Sequence, residues 1–179
     1  TAPNALEELE RVKALGLHGI KFHPDYQGFL IEDPHAIPLY AKAAELGLPV
    51  AFHTGWDPYS PYLIHCHPAA LARIAERFPQ LTIIAAHMGG MRQPEEAARY
   101  LAGRENVYFD MAFASHFLDP AGFAQLVRLH GVEKVLFATD CPWSTVPNEM
   151  ALLLQSGLTA EEQEQIAWKN AARLFRLSI

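Results

Sequence analysis

The sequence predicts a single α/β domain in which a parallel sheet is connected by helical crossovers. Short apolar runs alternate with amphipathic stretches of helical period along all 179 residues. Each strand-plus-helix repeat spans roughly 25 to 35 residues, which is the size of a βα unit. Half of the residues are hydrophobic, and neither a polar linker nor a low-complexity tract interrupts the pattern. We therefore expect one domain over residues 1–179.

The first expected element is a helix over residues 4–15, where Leu6, Leu9 and Val12 recur at helical spacing and Gly16 follows as a stop. Five strands are expected next, at residues 19–23, 49–53, 81–87, 107–111 and 135–140. The helices expected between them cover residues 37–46, 68–78, 94–102 and 120–130.

The remaining segments complete the predicted order of elements. Residues 24–34 and 55–67 are expected to be irregular loops, each directly after a strand. A last helix is expected to begin at Thr159, because Thr159 and Glu162 have the spacing of a capping box, and to continue through Leu174.

The composition argues against several classes of function. The formal net charge is -6 and the 14 Lys and Arg residues are scattered, so no basic surface for nucleic acid or an anionic membrane is expected. The apolar runs are far shorter than the roughly 20 residues that cross a bilayer. Cys66 and Cys141 are too few for a disulfide scaffold, and no secretory signal is visible at the N-terminus. We therefore expect a cytoplasmic protein that acts on a small molecule.

Polar side chains lie at the carboxyl ends of the predicted strands. His53, His87 and Asp140 each end a strand, and Lys21 and His23 share one face of the first. Loops from successive parallel strands converge at this edge of a sheet, so these side chains are expected to meet there. Imidazole and carboxylate groups bind divalent metals such as Zn²⁺, which lower the pKa of bound water and supply a nucleophile.

Several motifs together resemble one family. The motifs are Gly-Ile-Lys-Phe-His-Pro at 19–24, Phe-His-Thr-Gly at 52–55, Ala-His-Met-Gly-Gly at 86–90, Val-Tyr-Phe-Asp at 107–110 and Ala-Thr-Asp-Cys-Pro-Trp at 138–143. In this order they resemble the amidohydrolase superfamily, and more narrowly its branch that includes aminocarboxymuconate-semialdehyde decarboxylase and related aromatic-acid decarboxylases and hydrolases. The closing segment with Asn170, Ala171, Leu174 and Phe175 is similar to the terminal helix of that branch.

The resemblance implies a fold and a set of roles. The five strands correspond to strands four to eight of a TIM-type (β/α)₈ barrel. His53 is implied as a metal ligand, Asp140 as a group that binds the metal, its water or both, and His87 as the general acid or base. The implied cofactor is Zn²⁺, with Mn²⁺ as the alternative. The expected activity is hydrolysis of a small, carboxylate-bearing molecule, with non-oxidative decarboxylation as the alternative, and a homodimer is left open.

The chain departs from the family pattern in one respect. The family has a His-x-His pair at the end of its first strand, and nothing before Gly19 can form that strand. A full barrel takes roughly 250 residues, so about three βα units are missing. We expect an incomplete barrel with open strand edges, and a catalytically inactive fragment that assembles through those edges is the second interpretation.

Further side chains are expected in the substrate pocket. Lys21 either is carboxylated to bridge two metals, as in some amidohydrolases, or pairs with an acid. His23 is expected to line the pocket. Trp56, Tyr59 and Trp143 follow active strand ends and either clamp a planar substrate or only pack.

Other polar residues near the strand ends are expected to be structural. Asp110 is interpreted as a structural carboxylate of the fourth strand. His65, Cys66 and His67 imitate the missing His-x-His pair but lie in a loop, so metal binding is not expected there. Cys141 adjoins Asp140, yet no partner at suitable spacing supports a nucleophilic role.

Overall fold

The computed structural model describes residues 2–178, and its centre is a five-stranded parallel sheet. The strands are Ile20–Phe22 (β1), Val50–Phe52 (β2), Ile83–Ala85 (β3), Val107–Asp110 (β4) and Val135–Leu136 (β5). They lie in sequential order, and each pairs in parallel with the next. This is the arrangement of consecutive βα units in a TIM-type barrel.

Helices connect and follow the strands. They cover Ala5–Ala14 (α1), Pro24–Gln27 (α2), Ile37–Leu46 (α3), Pro68–Arg77 (α4), Pro94–Tyr100 (α5), Pro120–His130 (α6), Val146–Gln155 (α7), Ala160–Glu164 (α8) and Asn170–Phe175 (α9). Single turns of 3₁₀ helix lie at Ala114–His116 and Val132–Lys134, and a π-helical segment, Gln165–Lys169, joins α8 to α9. No helix within residues 2–178 has the length and apolarity to span a bilayer.

The sheet has two unequal faces. One face is buried beneath the helices, and Val50, Phe52 and Phe109 on it have no exposed surface. On the other face Lys21 is exposed and Ala51 is only partly buried. A closed barrel turns this second face inward, and over residues 2–178 no strand pairs with the outer edges of β1 and β5. The prediction of an incomplete barrel of five βα units is therefore confirmed.

Most predicted elements are present, with some changes in extent. The predicted bounds of α3 and α6 match those in the structure. The capping box is also present, since Thr159 N–H donates to Glu162 at 2.7 Å and Glu162 N–H donates to Thr159 at 3.2 Å. Two helices were not predicted: α2, inside a segment expected to be irregular, and α7.

The fifth strand is shorter than predicted. It ends at Leu136, because Phe137 N–H donates to Ile166 O of the π-helical segment at 2.9 Å and leaves the sheet. Asp140 therefore lies in a loop beyond the strand, with a left-handed backbone (φ 62°). The loop after β5, and not the strand itself, therefore determines where the Asp140 side chain lies.

Candidate metal centre and active site

A cavity of about 190 Å³ opens at the carboxyl ends of the strands. It is lined by six of the residues that the sequence singled out, namely Lys21, His23, His53, His87, Asp140 and Trp143. Trp56 lies outside it, with the Arg92 guanidinium 4.3 Å from its ring. The strand topology thus brings together residues that lie far apart in the chain.

The loop after β2 holds His53 in place. His53 N–H donates to Phe22 O at 3.0 Å, which extends the pairing with β1 by one residue. Beyond it Gly55 lies against the loop after β3, and a Cβ at this position would lie 2.3 Å from Met91 N. Gly55 also has a φ of 96°, so a residue without a side chain is required here. Thr54 and Gly55 therefore allow the chain after His53 to pack closely against the loop after β3, which keeps His53 in position.

His87 follows β3 on an unusual backbone. His87, Met88 and Gly89 are consecutive left-handed residues with φ values of 60°, 53° and 81°. The Asp110 carboxylate stabilises this turn, because its Oδ1 accepts hydrogen bonds from His87 N at 3.0 Å and from Ala112 N at 3.1 Å. Left-handed non-glycine residues cost about 1–3 kcal/mol each and cluster at functional sites. These contacts agree with the structural role expected of Asp110.

A chain of hydrogen bonds determines which nitrogen of each imidazole carries a proton. His87 Nδ1 lies 2.9 Å from Ala112 O, which only accepts, so His87 Nδ1 carries a hydrogen. In the neutral ring His87 Nε2 is then an acceptor, and His53 Nδ1, at 3.0 Å, donates to it. His53 Nε2 is therefore left with a free lone pair. Burial, followed by the neighbouring His87, lowers the pKa of His53 to about 2, so the ring stays neutral.

The free nitrogen of His53 faces carboxylates. His53 Nε2 lies 3.5 Å from Asp57 Oδ2 and 4.0 Å from Asp25 Oδ2. Both His53 Nε2 and Asp25 Oδ2 are buried and have no hydrogen-bond partner among residues 2–178. Lone pairs thus converge in a buried space without a proton between them, and such an arrangement is unfavourable unless a cation is present.

His23 completes the group of potential ligands. Its ring stacks between Tyr26, at 3.8 Å, and His53, at 4.3 Å, and its Nε2 lies 3.7 Å from Asp57 Oδ2. Over the described part of the chain, His23, His53 and Asp57 are the one set of metal-binding side chains whose ligand atoms all lie within 4.8 Å of one another. Burial is the main cause that lowers the pKa of His23, which favours the neutral, metal-binding form.

His53 is better prepared than His23 to bind a cation. His23 Nδ1 accepts a hydrogen bond of 3.4 Å from Tyr26 N, which places the proton of the neutral ring on Nε2. His23 would have to exchange that long bond for a metal bond, whereas His53 Nε2 is already unprotonated. Imidazole nitrogen and carboxylate oxygen are donors that suit Zn²⁺ and Mn²⁺, so the residues present fit such an ion.

Asp25 and Asp57 were missed by the sequence analysis. Both lie in segments expected to be irregular, where no periodicity indicates which way a side chain points. The available signal was position, since Asp57 follows His53 by four residues and Asp25 follows His23 by two, just beyond strand ends. Asp140, by contrast, lines the cavity but is exposed and lies outside the close set of ligand atoms.

The segment of His65, Cys66 and His67, where no metal binding was expected, makes hydrogen bonds to neighbouring protein groups. His65 Nδ1 donates to Asp25 Oδ1 at 3.0 Å, and His67 Nδ1 accepts from Ala69 N at 3.1 Å as the N-cap of α4. Cys66 is buried, and Gly55 N–H donates to its carbonyl at 2.9 Å. The Nδ1 atoms of His65 and His67 are therefore both engaged in hydrogen bonds within the protein.

Comparisons with known proteins agree with this architecture. Residues 1–177 match the sequence profile of the family described as amidohydrolase. Decarboxylase orsB of Emericella nidulans is 28% identical over 220 residues, a match that covers 95% of this chain and 65% of that protein. The chain therefore spans a little under two thirds of the length of this curated relative.

Solved structures share the fold. An uncharacterised TIM-barrel protein from Bordetella bronchiseptica superposes with a TM-score of 0.80 at 23% identity, covering 96% of this chain and 61% of that one. A 5-carboxyvanillate decarboxylase from Novosphingobium aromaticivorans, solved with manganese and 4-hydroxy-3-methoxy-5-nitrobenzoic acid, gives 0.75 at 18% identity, covering 97% and 60%. The family resemblance in the motifs is confirmed, and the chain belongs to the amidohydrolase family.

Proposed function

We propose that this protein is a metal-dependent enzyme that removes CO₂ from a small aromatic carboxylic acid without oxidation. The observation that carries the proposal is the buried His53 Nε2, which faces two carboxylates without a hydrogen-bond partner and lies at a cavity with aromatic walls. The decarboxylases among the similar proteins support decarboxylation over hydrolysis, which was the first interpretation of the sequence.

The size and lining of the cavity support an aromatic substrate. Its volume of about 190 Å³ is slightly larger than the roughly 150 Å³ cavity that accommodates benzene in a protein core. Tyr26, Phe113 and Trp143 contribute aromatic surfaces to its wall, and Lys21 contributes a cationic group. One ring with a carboxylate and one or two small polar substituents fits these walls, and Lys21 can pair with the carboxylate.

The cation would be held by His53 and Asp57, with His23 beside them. The ion that suits the donors and is bound in the similar decarboxylase is Mn²⁺, and Zn²⁺ suits the same donors. When bound, such an ion supplies Lewis-acid polarisation of substrate oxygens. Asp140 also lines the cavity, and we propose that it approaches the ion, its water or both in the complete site.

Decarboxylation breaks the bond between the ring carbon and the carboxylate and forms a carbon–hydrogen bond, so the site must deliver one proton. We assign this role to His87, which lines the cavity. Its Nδ1–H is held by Ala112 O, so the proton would be taken up from solvent at Nε2, in place of the hydrogen bond from His53, and passed from there to the ring carbon. Its fixed orientation, imposed by Asp110 and Ala112, keeps the imidazole at one position throughout the reaction.

The test is release of CO₂ from single-ring hydroxy acids by purified protein loaded with Mn²⁺ or with Zn²⁺. We expect CO₂ and the decarboxylated arene in equal amounts, and a loss of at least about 100-fold for His53→Ala. The matched control is His35→Ala, since His35 is exposed and is not among the residues that line the cavity. Metal-loaded native protein that releases no CO₂ from any of these acids would overturn the proposal, and hydrolysis of esters or amides instead would restore the first interpretation.

A further inference from the structure

Asp25 is a buried carboxylate that no step of the proposed reaction uses. Its side chain has no exposed surface, although it lies in the short helix α2 just after β1. The Ser60 hydroxyl and His65 Nδ1–H, the latter at 3.0 Å, both donate to its Oδ1. Its Oδ2 receives no hydrogen bond from any described residue. All of the hydrogen bonding therefore falls on one oxygen, and the other is left bare.

The bare oxygen points at the free nitrogen of His53. The two atoms are 4.0 Å apart, which is too long for a hydrogen bond, so a proton on Asp25 Oδ2 would not satisfy either of them. Two ligand atoms that each bind one Zn²⁺ at roughly 2.0–2.2 Å lie at most roughly 4.4 Å from each other. The separation is therefore compatible with one cation between Asp25 and His53.

The residues that donate hydrogen bonds to the Asp25 carboxylate belong to the loop after β2. Asp57, Ser60 and His65 all lie in it, and Ser60 N–H donates to Asp57 O at 3.2 Å. The loop is also attached to the segment after α2, because Ile31 N–H donates to His65 O at 3.0 Å. One loop thus supplies a ligand, Asp57, and fixes the orientation of another carboxylate, Asp25.

We infer that Asp25 is a ligand of the cation, and that Ser60 and His65 are the positioning residues that hold its free oxygen toward His53. This inference rests on the metal site of the proposed function and adds a second carboxylate to it. It assigns His65 a role that acts through Asp25, in place of direct metal binding. Two carboxylates and a neutral imidazole give the site a net negative charge that a divalent ion neutralises.

The experiment is a Mn²⁺ titration of the purified protein and its variants without substrate. We expect Asp25→Asn to weaken Mn²⁺ binding by at least about tenfold, and Ser60→Ala and His65→Gln to weaken it by roughly 10- to 100-fold, since the positioning of Asp25 is lost. The matched control is Asp33→Asn, because Asp33 accepts a bond from His35 N outside the site and its variant should bind Mn²⁺ like the native protein.

Thermal unfolding with and without the metal separates a ligand from a merely structural residue. The amide of Asp25→Asn keeps an oxygen that accepts from Ser60 and His65 and removes one of two clustered charges. In EDTA we therefore expect the Tm of Asp25→Asn to equal or exceed that of the native protein. Addition of Mn²⁺ should raise the Tm of the variant by less than it raises the Tm of the native protein. A structural role would lower the Tm equally in both conditions, and that result would overturn the inference.

The remaining outcomes are also decisive. If Asp25→Asn does not fold, native-like Mn²⁺ affinity in both Ser60→Ala and His65→Gln would overturn the inference, and weakened binding would support it. Native protein that binds neither Mn²⁺ nor Zn²⁺ would overturn it as well. Mn²⁺ binding through Asp25 without CO₂ release would remove only the proposed reaction, and CO₂ release with unchanged affinity in Asp25→Asn would remove only this inference.

Discussion

His53 Nδ1 lies 3.0 Å from His87 Nε2, and this contact joins the ends of two adjacent strands across 34 residues of sequence. Because His87 is itself fixed by Ala112 O, the hydrogen bond selects the tautomer of His53 that leaves Nε2 unprotonated. His87 therefore prepares the metal-binding nitrogen as well as facing the cavity. The two functions make distinct predictions for binding and for catalysis.

Replacement of His87 by alanine should affect both properties. Mn²⁺ affinity should fall by roughly 10- to 100-fold, since the partner that orients His53 is lost. CO₂ release at saturating metal should fall further, by about 10²- to 10⁴-fold, since the proton donor is lost. Metal titration and product assays measure the two effects separately. His35→Ala is the control, and full activity of His87→Ala at saturating Mn²⁺ would exclude the proton-transfer role.

The residues on the strands were accessible from the sequence, whereas their partners were not. His53 and His87 end short apolar runs, so alternation along each strand predicted their shared edge. Asp25 depends on His65, which lies 40 residues further along, and no local pattern encodes that contact. Likewise β5 ends early because Ile166, in the π-helical segment, takes the N–H of Phe137. Hydrogen bonds between residues far apart in the sequence thus determine the position of Asp25 and the end of β5, and local periodicity does not predict such bonds.

Gly55→Ala should destabilise the protein and disturb the site. A Cβ there would lie 2.3 Å from Met91 N, which is backbone and cannot move aside as a flexible side chain could. We expect a loss of at least about 2 kcal/mol in the free energy of unfolding, measured in urea, with weaker Mn²⁺ binding. Gly47→Ala is the matched control, because Gly47 has a φ of 60° but nothing within 4 Å of the added Cβ. Its cost should be only about 1 kcal/mol, and an equal loss in both variants would refute the steric argument.

Glu149 offers a test of the wall that carries Phe113 and Trp143. This fully buried carboxylate accepts hydrogen bonds from Ser115 N at 3.1 Å and from the hydroxyls of Ser115 and Ser144, each at 2.6 Å. Glu149→Ala leaves all three donors without an acceptor, so we expect a loss of about 2–4 kcal/mol in unfolding free energy. Glu149→Gln, which keeps one acceptor oxygen, should lose less unfolding free energy than Glu149→Ala. Chemical denaturation measures both, and equal stabilities of the two variants would contradict this account.

His130 should make the stability of the fold depend on pH. Its ring is buried and stacks on Phe109 at 3.7 Å, and burial, followed by the charge of Lys134, lowers its pKa to about 4. The unfolded chain, with an ordinary histidine pKa of about 6.5, binds a proton between about pH 6.5 and pH 4 that the folded protein does not. Stability is therefore full above about pH 6.5 and falls as the pH decreases toward 4, by about 3 kcal/mol from this residue.

His130→Phe isolates this contribution, because it keeps an aromatic ring against Phe109 and removes the titrating group. At pH 7.5 the variant should be less stable, since Gly103 N–H loses its acceptor, His130 Nδ1 at 3.3 Å. In a series of urea titrations, the difference in unfolding free energy between the native protein and the variant should decrease as the pH falls from 6.5 to 4.5. Burial also lowers the pKa of His53, but this residue contributes equally to the pH dependence of both proteins. The control His35→Gln should follow the native curve. Parallel curves for native protein and His130→Phe would show that folding does not change the pKa of His130 and that the burial argument is wrong.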